Sequence, residues 1–381
     1  MRIGIAADTY KPYISGVTNY ISLHKAELEK RGHDVRVFTF KPRWLAVNEP
    51  GVVHSAGFRL KMGYSFGFWY SVDALKQIRQ MDVLHIHHPF ISGQLVLNAC
   101  AGSGIPLIFT GHTRYDRLVQ DYLPWFPSAF SLRLLKLYMP GFCRKMDRVV
   151  CNSPASELGL RSCGVDVPLS IIPNGIALDP FRNAPRDPGL RAQLAPGAQT
   201  VFLYVGRLAV EKNLPRLLHA FALLLQKNPS ACLVLAGEGP YRQKLQAEAA
   251  ALGIADKVNF LGALEYANLP VYYRCADAFV MPSTSDTHPL TILEVMGAGL
   301  PIVAVESPAY ADTVKNGANG LVTANTAEAI AAAMAAIAAD PMRAVEMGRC
   351  SADFAEQFSV EHTAGQLLGL YQSVCEERLA R

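Results

Sequence analysis

Two carboxylates, Asp286 and Glu294, stand with seven residues between them in the segment PSTSDTHPLTILEVMGAGLPIV. The apolar run DAFVMP precedes them, so Asp286 falls in a strand-to-helix loop and Glu294 within the following helix. A carboxylate at that depth in a helix can accept two hydrogen bonds from a sugar diol, although on its own it could equally be a helix-surface charge. Pro289 suits the first position of the helix, where its missing N–H costs little. The unpaired N–H groups of that turn, near His288, Leu290 and Thr291, would point at a bound anion. A second group lies in GRLAVEKN, where Gly206 permits close approach to the backbone and Arg207 and Lys212 put two cations before a helix. Cations and a helix N-terminus together suit a diphosphate. Taken alone, the pair is more simply two solvated basic residues. A third group, GEGP, offers Gly237 and Glu238 after the run ACLVLA, and by itself is an ordinary turn.

The first half of the chain holds a different chemistry. Gly16, in SGVTNY, sits just before a helix start, where a glycine loop can approach phosphates or be a plain turn. HIHH puts His85 and His87 on one face of a strand, with His88 beside them. A zinc site would need further ligands, and no Cys or carboxylate cluster is near in sequence, so no metal is expected. His112 directly follows the strand PLIFT, at a strand end where reactive groups belong.

The elements that carry these groups repeat. The apolar runs RIGIAA, VRVFTF, VLHIHH, PLIFTG, RVVCN and LSIIP alternate with helical patterns such as Tyr20–Arg31 and Ser153–Ser162. Runs that are apolar throughout read as buried parallel strands, and their alternation with helices as a doubly wound α/β sheet. Residues 173–199 are rich in Pro, Gly, Asn and Asp, which reads as a linker. The alternation then restarts with TVFLYVG, ACLVLAG, KVNFLG, DAFVMPS, PIVAV and GLVTA. Its helices are expected at Leu214–Gln226, Tyr241–Leu252 and Thr291–Ala298. In the alanine-rich stretch 326–338, Ile330, Met334 and Ile337 keep helical spacing, so a packed helix is expected there. The expected organisation is a first domain over 1–177, a linker over 178–199, a second domain over 200–358, and a terminal helix within 359–381 that packs back onto the first domain.

With 381 residues, half of them apolar and 18% charged, the chain can bury two cores, which excludes global disorder. No clean run of about 20 apolar residues suggests a spanning helix. The start MRIGIAAD lacks a signal-peptide layout, and the eight cysteines form no C-x-x-C pair, so a cytoplasmic setting is expected. Charge is uneven. Residues 1–172 hold 20 Lys and Arg against 12 Asp and Glu, whereas residues 173–381 hold 16 against 20. The first half is the one to face an anionic surface, and no recognition motif points to nucleic acid.

Taken in order, SGVTNY, HPFISG, TGHTRYD, IPNGI, GRLAVEKN, LAGEGP and the carboxylate pair ahead of MGAGLPIV resemble family 4 retaining glycosyltransferases, over essentially the whole chain. The resemblance implies the GT-B architecture: two Rossmann-like doubly wound domains facing across a cleft. It also implies a nucleotide-diphosphate sugar as co-substrate, uridine- rather than guanosine-based, with no other cofactor. Arg207 and Lys212 would hold the diphosphate, and Glu294 the ribose hydroxyls. Asp286 would contact hydroxyls of the transferred sugar, and Ala263 and Leu264 would meet the nucleobase edge. Gly16, Gly206, Gly237, Glu238 and backbone groups at His288, Leu290 and Thr291 would border the donor. His112 would contact the transferred sugar at the reacting centre. Asp286 replaces the usual Glu and Pro289 the usual Gly, which bears on sugar choice. No D-x-D triplet occurs, so the two cations would replace a divalent metal in drawing off the leaving group.

On the acceptor side, Tyr115, Asp116 and Trp69 are candidates. The segments 58–70 and 114–148 mix aromatics with cations, and with HTRYD are similar to bacterial diacylglycerol glucosyltransferases. That implies a membrane-lipid acceptor and docking on anionic lipid at the inner membrane face. A helix packed on the core with snorkelling cations would give the same pattern. Soluble or polyprenyl-linked acceptors, a nucleotide-sugar epimerase or hydrolase, and a non-catalytic binder are the alternatives.

Overall fold

The structure is a computed structural model that describes residues 1–380 except 14, 43, 47, 60–64 and 113–127. It divides into two compact units, Met1–Gly175 with Val360–Arg381, and Ile176–Ser359. In the first unit the chain forms β1 (Arg2–Ala6), α1 (Gly16–Lys30), β2 (Asp34–Lys41), β3 (Val52–Ala56), β4 (Phe58–Arg59), β5 (Ser65–Phe66), α2 (Val72–Ile78) and β6 (Val83–Ile86). It continues with α3 (Ile91–Ala99), β7 (Leu107–Gly111), α4 (Ser128–Cys143), β8 (Arg148–Cys151), α5 (Pro154–Ser162) and β9 (Leu169–Ile171). Among the described residues these give a parallel seven-stranded sheet in the order β3-β2-β1-β6-β7-β8-β9. The strands are apolar runs because both faces are covered; all four residues of β6 and all five of β7 are buried. From β1 the chain winds outward to β3, then returns to the other side of β1 as β6. The order therefore reverses between β1 and β6, the kind of point at which open α/β sheets bind ligands.

The second unit contains α6 (Asp179–Arg182), α7 (Pro188–Leu194), β10 (Thr200–Val205), α8 (Leu214–Leu225), β11 (Ala231–Ala236), α9 (Arg242–Ala251) and β12 (Val258–Gly262). Then follow α10 (Leu269–Arg274), β13 (Ala278–Met281), α11 (Leu290–Gly297), β14 (Ile302–Val305), β15 (Gly320–Thr323), α12 (Ala327–Ala339) and α13 (Pro341–Phe354). Its sheet, in the order β12-β11-β10-β13-β14-β15, is also parallel. Here the reversal falls between β10 and β13. Helix α8 buries Leu214, Leu217, Leu218, Phe221 and Leu224, spaced as one helical face requires. Ile330, Met334 and Ile337 of α12 are buried at the expected spacing, so this alanine-rich stretch is a packed helix.

The last helix, α14 (Val360–Leu379), belongs to the first unit. Its Ala364, Leu367, Tyr371 and Val374 join the core of Ile3, Ile5, Ile108 and Val150. Residues 178–199, expected as a linker, are instead folded into the second unit. Asp187 caps α7 by accepting from the Leu190 amide, with Pro188 at the first turn, so the same Pro and Asp residues that read as a linker are a helix start. Arg191 then bonds Asp277 and the Cys275 carbonyl, and Phe181 is buried. Pro289 also differs from expectation: it occupies the cap position, with extended ψ, and Leu290 begins the helix.

Candidate active site

Three strand-end loops of the second unit are joined backbone to backbone. The Gly206 amide donates to the Ala236 carbonyl at 2.9 Å, Leu208 to Glu238 at 2.9 Å, and Gly237 to Gly262 at 2.8 Å. A Cβ at Gly237 would lie 1.9 Å from the Gly206 oxygen, and one at Gly239 would lie 2.3 Å from the Leu208 oxygen. Glycine is therefore required in GEGP for the loops to meet at all. Glu238 pairs with Arg242, which also reaches the Phe260 carbonyl at 3.2 Å. Its carboxylate thus braces the β11–α9 turn. Ala263, just beyond β12, is exposed, and Leu264 is half-buried.

Across the strand-order reversal, the turn before α8 faces the loop after β13. Lys212 Nζ donates to Asp286 Oδ1 at 2.5 Å, with both side chains largely buried. Ser285 bonds the Glu211 carbonyl at 3.1 Å, and Asn213 the Pro282 carbonyl at 3.0 Å, so the pair is held from both sides. The Tyr310 hydroxyl donates to the Ser283 carbonyl at 2.7 Å and lies 3.5 Å from Asp286 Oδ2. Arg207, on the same side, is exposed, and its carbonyl accepts from the Tyr204 hydroxyl at 3.2 Å. The N-terminus of α11 opens beside Asp286. Leu290 and Thr291 are half-buried there, while His288 is buried with Nε2 3.4 Å from Asp312 Oδ2.

Glu294 is no surface charge, because only 3% of it is exposed. The Tyr273 hydroxyl donates to its Oε2 at 2.7 Å, and the Tyr266 phenol lies close enough to act on it. Burial pushes its carboxyl up to about 7, against the pull of the two phenols. Held at one oxygen by Tyr273, it can accept hydrogen bonds from a vicinal diol.

The first unit gathers imidazoles instead. His87, just past β6, donates its amide to the Ala6 carbonyl at 3.0 Å. Its Nδ1 shares a hydrogen bond with Nε2 of His112 at 2.7 Å. His85 is spent on the Tyr371 hydroxyl (2.7 Å) and Thr110 (2.6 Å). His24 bonds the Tyr20 carbonyl at 2.9 Å and Thr363 at 3.1 Å. These ring nitrogens serve hydrogen bonds, and among the described residues no group of three or more His, Cys, Asp or Glu is arranged to hold a metal. Gly16 is the first residue of α1, behind the Ser15 cap. Trp69 is 61% exposed, next to exposed Phe68 and Phe58. Tyr115 and Asp116 lie outside the described residues.

Residues 14–180 match the model described as Glycosyltransferase Family 4, and residues 188–352 the model described as Glycosyl transferases group 1. An alpha-monoglucosyldiacylglycerol synthase of Streptococcus pneumoniae is 34% identical over 81% of this chain and 72% of its own length. The chain belongs to the family 4 glycosyltransferases. The enzyme of the same name from Acholeplasma laidlawii is 29% identical to this glycosyltransferase over 84% of both chains. Its fold aligns with HepE of Anabaena in complex with UDP at a TM-score of 0.76 and 19% identity, covering 98% of this chain and 100% of that one. The two Rossmann-like halves are those of the GT-B class.

Of the residues singled out from sequence, the second unit brings Gly206, Arg207, Lys212, Gly237, Asp286, Leu290, Thr291 and Glu294 to one end of its sheet. Sequence reasoning missed the tyrosines. Tyr273 bonds Glu294, Tyr310 reaches Asp286 and Tyr266 lies near Glu294, yet no spacing marks them because each comes from a different element. It also missed the His87–His112 bond, for which the alternation in HIHH and the strand-end histidine were the available signals.

Proposed function

We propose that this glycosyltransferase moves a hexose from a uridine-diphosphate sugar to the free hydroxyl of a membrane diacylglycerol, with retention and without a metal. The observation that carries the reading is the Lys212–Asp286 pair at the strand-order reversal, beside the N-terminus of α11. An ammonium and free helix amides suit a leaving diphosphate, and Asp286 a sugar hydroxyl. On donor binding Lys212 exchanges a carboxylate for a diphosphate, and Arg207 adds a second cation. Glu294 takes the ribose diol, backbone groups at Ala263 and Leu264 meet the base, and His112 contacts the transferred hexose. As the anomeric carbon gains oxocarbenium character, the departing phosphate accepts the proton of the attacking hydroxyl on the same face. That route needs neither a carboxylate nucleophile nor a separate base.

The lipid acceptor is supported by the names of the relatives and by the surface of the first unit. Phe58, Phe68 and Trp69 are exposed around the β4–β5 ribbon, and α4 exposes Leu134 and Leu137 beside Arg133 and Lys136. The opposite face of α4, with Leu135, Met139 and Phe142, is in the core. Apolar groups flanked by cations suit shallow docking on anionic lipid at the cytoplasmic membrane face, and among the described residues no helix is long and apolar enough to cross a membrane.

A donor panel tests the reading. UDP-glucose is expected to raise the melting temperature, and turnover should require diacylglycerol and persist in EDTA. The product should be the α-anomer by NMR. Donor turnover without acceptor would favour an epimerase or hydrolase, and a β-product would end the same-face route.

A further inference from the structure

The two loops that carry Lys212 and Asp286 hold them together before any ligand arrives. Asn213 takes a left-handed φ of 56° and turns the chain from the Lys212 loop into α8. The Ser283 and Ser285 hydroxyls both donate to the Glu211 carbonyl, at 3.4 and 3.1 Å, so the loop after β13 is pinned to the residue beside Lys212. Tyr310 is 2% exposed; it commits its single phenolic proton to the Ser283 carbonyl at 2.7 Å and stands 3.5 Å from Asp286 Oδ2. The side chains of Lys212 and Asp286 keep 20% and 13% of their surface exposed, so the pair is sheltered but open to a ligand. A carboxylate against the ammonium cancels much of the charge that a diphosphate would meet, and it sets an anion beside the incoming anion.

That opposition is the same for a free nucleoside diphosphate and for a nucleotide sugar, but the compensation is not. A bound hexose brings hydroxyls whose protons satisfy Asp286 when Lys212 turns to the phosphates. Free UDP brings none, and it leaves a largely buried carboxylate short of partners. We propose that Asp286 is a specificity-determining residue that sets the nucleotide sugar against the free nucleotide. Paired with Lys212 it admits UDP-hexose, and once the hexose has left it reclaims the lysine and loosens the hold on UDP. The inference rests on the reading of Lys212 and Asp286 as diphosphate- and hexose-facing groups, and it adds how the site tells donor from product. A ligand shifts such a pair only by the difference in its affinity for the two arrangements, and here the hexose supplies that difference.

Isothermal titration of the full chain without acceptor tests this, with UDP, UDP-glucose and, by displacement, uridine as ligands. Asp286→Asn keeps the size of the side chain and removes its charge. It should tighten UDP about tenfold or more, as the unmasked lysine meets the diphosphate. UDP-glucose, which gains the lysine but loses a charged partner for its hydroxyls, should stay within about threefold of wild type. Uridine has no phosphate and should stay within about twofold. The ratio of the UDP to the UDP-glucose dissociation constant should therefore fall. Asp286→Glu keeps the charge, and both nucleotides should bind it within about threefold of wild type.

A wild-type protein that binds neither UDP nor UDP-glucose would overturn the donor reading itself. Binding of both by wild type, with the UDP affinity unchanged in Asp286→Asn, would overturn the role of Asp286 alone. So would equal tightening of UDP and UDP-glucose, because the hexose would then make no difference. Tightening of uridine by the same factor, or of UDP in Asp286→Glu, would do the same by tracing the gain to something other than the charge beside the diphosphate. Should Asp286→Asn fail to fold, Asp286→Ser removes the same charge and the same ratio decides.

Discussion

The two units of this glycosyltransferase share a parallel, doubly wound sheet with a strand-order reversal, yet they furnish it oppositely. The second unit collects charge: an ion pair, an exposed arginine and a buried carboxylate held by the Tyr273 phenol. The first collects neutral rings: His24, His87 and His112 pack around Tyr20, and His85 lies against His87. A departing diphosphate needs fixed cations, whereas a group that touches a sugar must not compete for that charge. The difference also reaches stability. Glu294 has its carboxyl raised to about 7, whereas burial lowers His24 to about 4 and His85 to about 3. The buried acid favours folding when protonated, and the buried bases when neutral, so the two units respond to pH with opposite signs.

The largest consequence belongs to the first unit. A histidine with a depressed folded pKa contributes stability that is present above about 6.5 and is lost as pH falls toward the folded value. Between pH 6.5 and 5 each of His24 and His85 should therefore cost about 2 kcal/mol, and His87 and His112 shift in the same direction. Hydrogen exchange followed across this range should show β6, β7 and α14 opening before β10–β13. Simultaneous opening of both units at pH 5 would break the comparison.

Next in size is the chemical step. Lys212→Met removes the cation from the reversal point of the second unit and should lower kcat about 10²–10³-fold, with UDP binding weakened and the far-ultraviolet spectrum unchanged. Wild-type turnover in this variant would mean that the Lys212–Asp286 pair is structural, and the electrostatic contrast between the units would lose its functional meaning.

How much of this the sequence displays follows from what each signal depends on. The doubly wound halves are legible because a parallel strand covered on both faces is apolar along nearly its whole length, as ACLVLA and LIFTG are. The clustered strand-end loops of the second unit are legible because glycine, lysine and carboxylate sit at fixed offsets from strand ends. Residues 178–199 misled because proline and aspartate both break a helix and begin one, and only tertiary contacts such as Arg191 with Asp277 choose between those outcomes. The tyrosines around Glu294 and Asp286 were invisible because their partners lie 21–28 residues away on other elements. The imidazole bond was half-visible, since alternation places His85 and His87 on one face but says nothing of His112, 25 residues on.

In the second unit, Glu294 supplies a milder effect of the opposite sign. Its stabilising, protonated form is fully populated in both states below about 4.5, and that contribution is lost as pH rises through about 7. The penalty at pH 8 is about 3 kcal/mol. Glu294→Gln should therefore raise the melting temperature at pH 8 relative to wild type and flatten its decline between pH 4.5 and 8, while weakening UDP binding. An unaltered pH slope would show that the carboxyl is not the group responsible.

The smallest effect separates the histidine network's two duties. Tyr371→Phe deletes only the hydroxyl that bonds Nδ1 of His85, in a core where Tyr371 is fully buried. The loss leaves a buried ring nitrogen without that partner, which costs about 1–3 kcal/mol. Because His85 packs tilted against His87 but does not bond it, and the His87–His112 bond is untouched, kcat and KM should remain at wild-type values at temperatures below the lowered melting point. A matching loss of kcat would instead mean that α14 reaches His112 through ring packing, without any change in the His87–His112 hydrogen bond. The ratio of the stability change to the activity change in this one variant thus measures how far the neutral cluster is scaffold and how far it is machinery.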